Sequence, residues 1–244
     1  MADVTGRVVM VTGGSEGLGL ALALAFAEAG AAVSICGRRR APLEAARERI
    51  VEHGVACVAR ALDVSDEEAV RRWVENTEEE LGPPDALINN ASLLGERVLL
   101  RDYPIHTWRE TIDVNLTGTL IATQAVLPAM LAKRSGTIVA ISSGAARPPR
   151  ERWGAYAVSK SAVEALALNL AEELRGSGVR VNVVDPGAMR TGMRAAAYPA
   201  EDPGRLRRPA SLAPLFLWLA SEKSAAVTGT RIDAAEWMEE VAGR

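Results

Sequence analysis

Cysteine and histidine are nearly absent from this chain, with two of each. Cys36 and Cys57 both fall in apolar, strand-like runs. A buried inert thiol is the expected state there, and a disulfide framework is not indicated. His53 and His106 stand alone, without partners at metal-ligand spacing, which argues against a metal site. No uninterrupted apolar run approaches the ~18 residues that a membrane span needs. No basic-then-apolar leader precedes Met10, so a cytosolic (cytoplasmic) location is the expectation. Nor is there a polybasic tail. The formal net charge is -3, with acidic and basic residues interspersed, which gives no general attraction to nucleic acid or to an anionic membrane. Internal repeats and low-complexity segments are missing too. The five Trp are scattered and read as packing or interface residues.

What remains is a globular composition, 48% hydrophobic and 24% charged. A length of 244 residues suits one large α/β domain over 1–244, big enough to bury a core without staples. Apolar β-rich runs alternate with helical patterns. Strands are expected at 7–11, 32–36, 55–62, 86–89, 136–142, 179–184 and 230–233. Helices are expected at 17–29, stopped by Gly30, and at 42–53, with Pro42 near its start. A charged helix should run from a Ser65 cap to Leu81, with Glu68 completing a capping box, and Gly82-Pro83-Pro84 should break it. A long helix at 105–133, bent and carrying Pro128 near its end, follows. Further helices are expected at 156–175 and 212–221, with 185–209 irregular. Strict β/α alternation implies a parallel sheet with helices on both faces, doubly wound by right-handed crossovers. Ligands in such folds bind beyond the carboxyl ends of the strands.

Thr12-Gly-Gly-Ser-Glu-Gly-Leu-Gly19 lies between the first strand and the first helix. Glycines there let the backbone approach a diphosphate, and the helix N-terminus offers it free N–H groups and a positive dipole end. A tight turn needing glycine would explain the loop alone, but its place in a βαβ pattern points to a dinucleotide. The second strand runs into Arg38-Arg39-Arg40, and no carboxylate follows until Glu44. An acidic residue at that point would suit NAD(H), whereas arginine forks suit a 2′-phosphate. NADP(H) is therefore favoured, with NAD(H) still possible. Glu16 argues mildly the other way, because a carboxylate in the glycine loop would lie near the adenosine ribose.

Tyr156-Ala-Val-Ser-Lys160 opens a helix, and the i,i+4 spacing puts the phenol and the amine on one face. An ammonium ~4–5 Å from a phenol favours the phenolate by ~3–4 kcal/mol at an effective dielectric near ~20. That would draw the phenol well below its ordinary value and make Tyr156 a general acid or base near neutral pH.

With these residues in view, the sequence resembles the short-chain dehydrogenase/reductase family, from Val8 to about Ile232. The glycine loop matches TGxxxGxG. Asp63-Val64 matches the family's adenine-holding pair, and Asn89-Asn90-Ala91 matches NNAG except that Ser92 replaces the last Gly. Asn115 matches the active-site asparagine, Ser143 the catalytic serine, and Pro186-Gly187 with Thr191 the PGxxxT segment. The resemblance implies a Rossmann-type, doubly wound α/β fold and interconversion of a carbonyl and a secondary alcohol. It implies that Tyr156 moves the proton, Lys160 tunes it and holds the nicotinamide ribose, and Ser143, preferred over Ser142, binds the substrate oxygen. Asn115 would position a water linking Lys160 to solvent. The cofactor site implied comprises Thr12, Gly13, Ser15, Gly17, Leu18 and Gly19, then Arg38, Arg39, Asp63, Val64, Asn90 and Ala91, and finally Pro186, Gly187 and Thr191 with Tyr156 and Lys160. More ordinary roles stay open: Asn115 as a satisfied helix kink, Asp63 as a helix cap, Thr191 as a turn residue.

The best-supported activity is reduction of a ketone, 3-oxoacyl-type or other, by NADPH. The alternatives are an alcohol or polyol dehydrogenase and, in another class, a dinucleotide-binding sensor without turnover. Homo-oligomerisation, as dimer or tetramer through helices 105–133 and 156–175, is a family-level expectation. Three features depart from the family. The lid segment 191–209 is short and rich in Pro and Gly, suggesting an open pocket. The last strand runs into Ile232-Asp-Ala-Ala-Glu-Trp237 in place of a glycine turn, which puts the usual C-terminal packing in doubt. Arg147, Arg150 and Arg152 precede the Tyr156 helix and could attract an anionic substrate.

Overall fold

The computed structural model describes residues 3–242. Its short apolar runs bury on both faces, as strands of a parallel sheet must. They form β1 (Val8–Thr12), β2 (Ala32–Gly37), β3 (Cys57–Ala61), β4 (Ala86–Asn89), β5 (Gly136–Ile141), β6 (Val179–Asp185) and β7 (Arg231–Asp233). The sheet order is β3-β2-β1-β4-β5-β6-β7, and every pairing is parallel. The doubly wound, Rossmann-type α/β architecture expected from the alternation is present. The order reverses between β1 and β4, so the chain leaves these two strands in opposite directions and a crevice opens at their carboxyl ends.

Helices α1 (Gly17–Glu28) and α2 (Arg40–Val51) cover one face, with α8 (Ala213–Leu219) beside α1. Leu22, Phe26, Ile35 and Phe216 are its fully buried centre. Helices α3 (Glu67–Leu81), α5 (Gly118–Ala132) and α6 (Gly154–Glu173) cover the other, around Trp73, Met130 and Val163. Each such side chain contributes about 1.5–3 kcal/mol. The indole N–H of Trp73 is not left unpaired: it donates to Ser34 Oγ at 2.8 Å, which lies 2.7 Å from Thr77 Oγ1.

Several boundaries differ from the sequence expectation for physical reasons. The cap of α3 is Asp66, whose carboxylate accepts from the Ala69 N–H at 3.0 Å. Ser65 instead donates its N–H and hydroxyl to Asp63 Oδ1, at 2.9 and 2.7 Å, and Glu68 pairs with Arg72, so no capping box forms. The expected single helix at 105–133 is α4 (Ile105–Ile112), a π turn (Asp113–Thr117) and α5. By length and composition the run Ile105–Ala132 could cross a membrane, yet here it packs against the sheet, α3 and α6. The segment expected to be irregular contains α7 (Gly192–Ala197), capped by Thr191 Oγ1, which accepts from the Arg194 N–H at 3.2 Å. Where the family has a glycine turn, Asp233 caps a further helix, α9 (Ala234–Ala242), by accepting from the Ala235 N–H at 2.8 Å, and Trp237 meets Trp218 of α8 at 5.6 Å between ring centroids.

Gly19 is where α1 passes closest to the loop before it. A Cβ there would lie 2.2 Å from the Gly13 carbonyl oxygen and 2.5 Å from Asn90 Nδ2. Gly19→Ala should therefore destabilise the fold by about 1–3 kcal/mol, read as a lower denaturant midpoint with unchanged slope. Gly192→Ala, with nothing within 4 Å of its Cβ position, should leave the midpoint nearly unmoved.

Candidate active site

The crevice at the β1–β4 junction is a cleft of about 710 Å³. Two loops form its floor and are fastened to each other. Thr12 Oγ1 accepts from the N–H groups of Asn90 and Ala91 at 2.9 and 3.0 Å, and Asn90 Nδ2 donates to the carbonyls of Thr12 and Gly13 at 2.9 and 3.2 Å. Thr12 and Gly19 are thus buried fasteners beneath the cleft. Gly13, Ser15, Gly17, Leu18, Asn90 and Ala91 line it. Gly13 and Gly17 have φ of +65° and +57°, which L side chains adopt only with strain. No side chain caps the first amides of α1, so its N–H groups are left to an anion. This cradle fits a dinucleotide diphosphate.

At one end stand Arg38, Arg39, Asp63 and Val64. Arg38 lies 3.3 Å from Glu110 and 3.8 Å from Asp63, and Arg39 pairs with Glu16 at 2.6 Å. Glu16 therefore faces a guanidinium. At the other end are Ser143, Tyr156 and Lys160, with Pro186, Gly187 and Thr191. The neighbouring serines divide: the Ser142 hydroxyl donates to buried Glu164 at 2.6 Å, while Ser143 lines the cleft with Tyr156 and draws its phenol downward.

The electrostatic expectation needs correction: the phenol is not drawn below its ordinary value by Lys160. The Lys160 Nζ is 5.8 Å from the Tyr156 ring centroid and donates to the Ile141 carbonyl at 2.8 Å. Burial holds Tyr156 above its ordinary value; the neighbouring Ser143 hydroxyl draws it partly back, and the charge of Asp185 adds to the rise. Burial also lowers Lys160 to about 8, so desolvation outweighs the ion-pair effect that spacing alone suggested. Asn115 is buried on the π turn, behind the residues that line the cleft. Its side chain accepts from the Leu93 N–H at 2.7 Å and donates to Leu93 O and Ser159 Oγ, both at 2.9 Å. Its carbonyl accepts the Thr119 hydroxyl at 2.8 Å.

The lid is fastened by arginine contacts. Met193 and Ala197 of α7 line the cleft. The Arg97 guanidinium lies 4.3 Å from the Trp153 ring centroid and 5.0 Å from that of Tyr198, and donates to Ala197 O at 3.1 Å. Arg194 stacks on Tyr198 at 3.9 Å and is held by Glu201 through two 2.6 Å bonds. Of the three loop arginines, Arg150 lines the cleft, whereas Arg147 pairs with Glu164 at 2.9 Å and Arg152 lies 4.0 Å from Glu151. Sequence reasoning missed Asp185, Ser92, Trp153 and Asp233, all on the cleft wall. Asp185 had a signal, a carboxylate at a strand's carboxyl end beside Pro186-Gly187. The others did not. Burial pushes the Cys36 and Cys57 thiols up to about 12, as inert cysteines should be. Among the described residues no cluster of three or more His, Cys, Asp or Glu side chains could hold a metal.

A glycine cradle at the switch point of a parallel sheet, opening on a buried Tyr/Ser/Lys group, defines a nucleotide-dependent oxidoreductase. The short chain dehydrogenase family model matches residues 7–202. The chain is 36% identical to the uncharacterized oxidoreductase YciK of Escherichia coli K12 over 231 residues, 93% of this chain and 91% of that protein. A putative short chain dehydrogenase from Pseudomonas syringae superposes with a TM-score of 0.91 at 37% identity, over 96% of each chain. One from Shigella flexneri 2a, complexed with NADP, does so with a TM-score of 0.91 at 35% identity, over 96% of this chain and 100% of that one. This chain belongs to the short-chain dehydrogenase family, and it is an oxidoreductase acting between CH–OH and C=O groups.

Lys160 gives a signed prediction. Below about pH 8 it is charged both folded and unfolded, so its desolvation, roughly 3 kcal/mol, weighs fully on the fold. Between about 8 and the ordinary 10.5 the folded lysine has lost its proton while the unfolded one keeps it, and stability rises with pH. Lys160→Met should melt at a higher temperature than the native chain at pH 7, with the gap closing above pH 8. An unchanging gap across that range would contradict the buried amine.

Proposed function

We propose that this chain reduces a ketone to a secondary alcohol with NADP(H), Tyr156 giving the proton and Ser143 holding the carbonyl oxygen. The observation that carries this reading is that Ser143, Tyr156 and Lys160 stand together on the wall of one cleft whose far end bears Arg38 and Arg39. NADP in the Shigella relative supports the cofactor choice.

The loop from Gly13 to Gly17 and the open amides of α1 would hold the diphosphate, with Arg38 and Arg39 on the 2′-phosphate. Asp63 and Val64 would flank the adenine, Lys160 the nicotinamide ribose, and Pro186, Gly187 and Thr191 the nicotinamide end. When bound, the nicotinamide supplies the hydride to the carbonyl carbon. The two hydroxyls can meet the developing alkoxide together: Ser143 by hydrogen bond, Tyr156 by hydrogen bond and then by proton transfer from Oη. A phenol held above its ordinary value stays protonated through neutral pH, which suits an acid in reduction better than a base in oxidation. Asn115 acts by position, tying the loop after β4 to Ser159, whose hydroxyl donates to the Tyr156 carbonyl at 2.8 Å. The cleft wall formed by Leu94, Trp153, Met193 and Ala197 suits an apolar substituent on the ketone. The assembly proposed is a homo-oligomer through α4–α5 and α6, where Ile105 and Val158 stand exposed at 61% and 43%.

NADPH consumption against a ketone panel tests the reading. Tyr156→Phe should lose about 10²–10⁴-fold in rate and Ser143→Ala about 10²–10³-fold; turnover surviving in the Phe variant overturns it. Reduction should be flat through neutral pH and fall only in the alkaline range. Replacing Arg38 and Arg39 together by Ala should weaken NADPH binding, read by nicotinamide fluorescence, while leaving NADH binding nearly unchanged. Equal weakening of both would exclude a 2′-phosphate site there.

A further inference from the structure

Tyr156, Lys160 and Glu164 recur every fourth residue on α6, so they share one face. The first two belong to the proposed chemistry; Glu164 does not line the cleft, and only 1% of its side chain is exposed. A carboxylate so buried needs partners. It accepts the Ser142 hydroxyl at 2.6 Å and Arg231 Nε at 2.8 Å, and Arg147 approaches its other oxygen at 2.9 Å. The same Arg231 reaches across with NH2 to Asp185 Oδ2 at 2.8 Å. The Asp185 side chain is 5% exposed, lines the cleft and accepts from the Gly187 N–H at 3.0 Å. One guanidinium fork, from the short last strand β7, thus joins a carboxylate on α6 to one at the end of β6.

Both ends of this cluster touch something the reaction uses. At one end, Glu164 occupies the Ser142 hydroxyl, and the Ser142 N–H donates to the Val184 carbonyl at 2.8 Å, so Ser143 is the serine left to the cleft. At the other, Asp185 shapes the Pro186-Gly187 turn and sets a carboxylate on the cleft wall that Tyr156 also lines. Besides Glu16, Arg38, Arg39 and Asp63 towards the far end, the charged groups sharing the cleft with Tyr156 are Lys160 on its own helix, Asp185 from β6, Asp233 from β7, Arg150 from the loop before α6 and Arg194 from α7. Arg97, from the loop after β4, stacks behind Trp153. Of these, Asp185 is the carboxylate whose charge raises the phenol.

We propose that Arg231 is a positioning residue, which holds Glu164 and Asp185 as one buried cluster and thereby presents Ser143 and sets the pH at which Tyr156 releases its proton. The inference rests on Tyr156 being the proton donor, and the experiment separates the two. Tyrosinate formation is followed by ultraviolet absorbance against pH, with Tyr156→Phe as the blank, beside the pH profile of kcat/KM. Asp185→Asn keeps the side-chain shape and removes the charge, and should move Tyr156 ionisation to lower pH. Arg231→Met leaves both carboxylates without their shared cation, and should move it to higher pH, with kcat reduced and KM little changed. The double variant should fall between the two. A merely structural cluster would lower activity in both single variants without opposed displacements. Displacement in the same direction, or none in Asp185→Asn, overturns the proposal. Should Arg231→Met fail to fold, Asp185→Asn decides alone. Turnover retained in Tyr156→Phe would sink the proposed function, while the tyrosinate titration would still judge the cluster.

Discussion

Parallel strands whose connections leave on opposite faces cannot close over their own carboxyl ends, and everything functional in this chain follows from that gap. β1 and β4 are neighbours in the sheet, yet β1 runs into α1 on one face and β4 leads towards α4 and α5 on the other. The space between is bridged by polar bonds in place of packed side chains. Thr12 and Asn90 make those bonds. They hold the glycine loop rigid at the mouth, where α1 leaves its first amides without a side-chain cap.

Burial, more than pairing, governs the chemistry at the other end of the cleft. A phenol and an amine one helical turn apart suggest mutual stabilisation of charge. In the folded chain both are nearly dry, Tyr156 at 8% and Lys160 at 3% exposure, and each is shifted towards its neutral form. The result is a proton held ready at neutral pH beside Ser143. The desolvation of Lys160 is the kind of expense that stability alone would not retain, and its carbonyl partner at the end of β5 only partly offsets it.

The parts that depart from the family pattern are anchored by arginine. Arg97 and Arg194 stack on Trp153 and Tyr198 and tie α7 to the loop after β4. Arg231 joins β7 to α6 and β6. Arginine suits these places because its planar fork can satisfy two acceptors or lie on a ring while remaining charged. A lid without much hydrophobic mass and a last strand of three residues are thereby fixed in place.

Local patterns carried a large part of this protein. Apolar runs of strand length, helix stops at Gly30 and Gly82, the glycine loop and the Tyr156–Lys160 spacing are all short-range, so alternation alone led to the doubly wound sheet and its cleft. What proved illegible depended on contacts between distant segments. Which of Ser65 and Asp66 caps α3 is decided by Asp63 taking the serine hydroxyl. Whether Asn115 faces the cleft is decided by Leu93 and Ser159. Whether Ser142 or Ser143 is free is decided by Glu164, and the state of the phenol by water exclusion and Asp185. Spacing along a chain reports which side chains share a face of an element. Only the packed molecule reports how much water and which opposing charges surround them, and those two quantities decide where a proton sits.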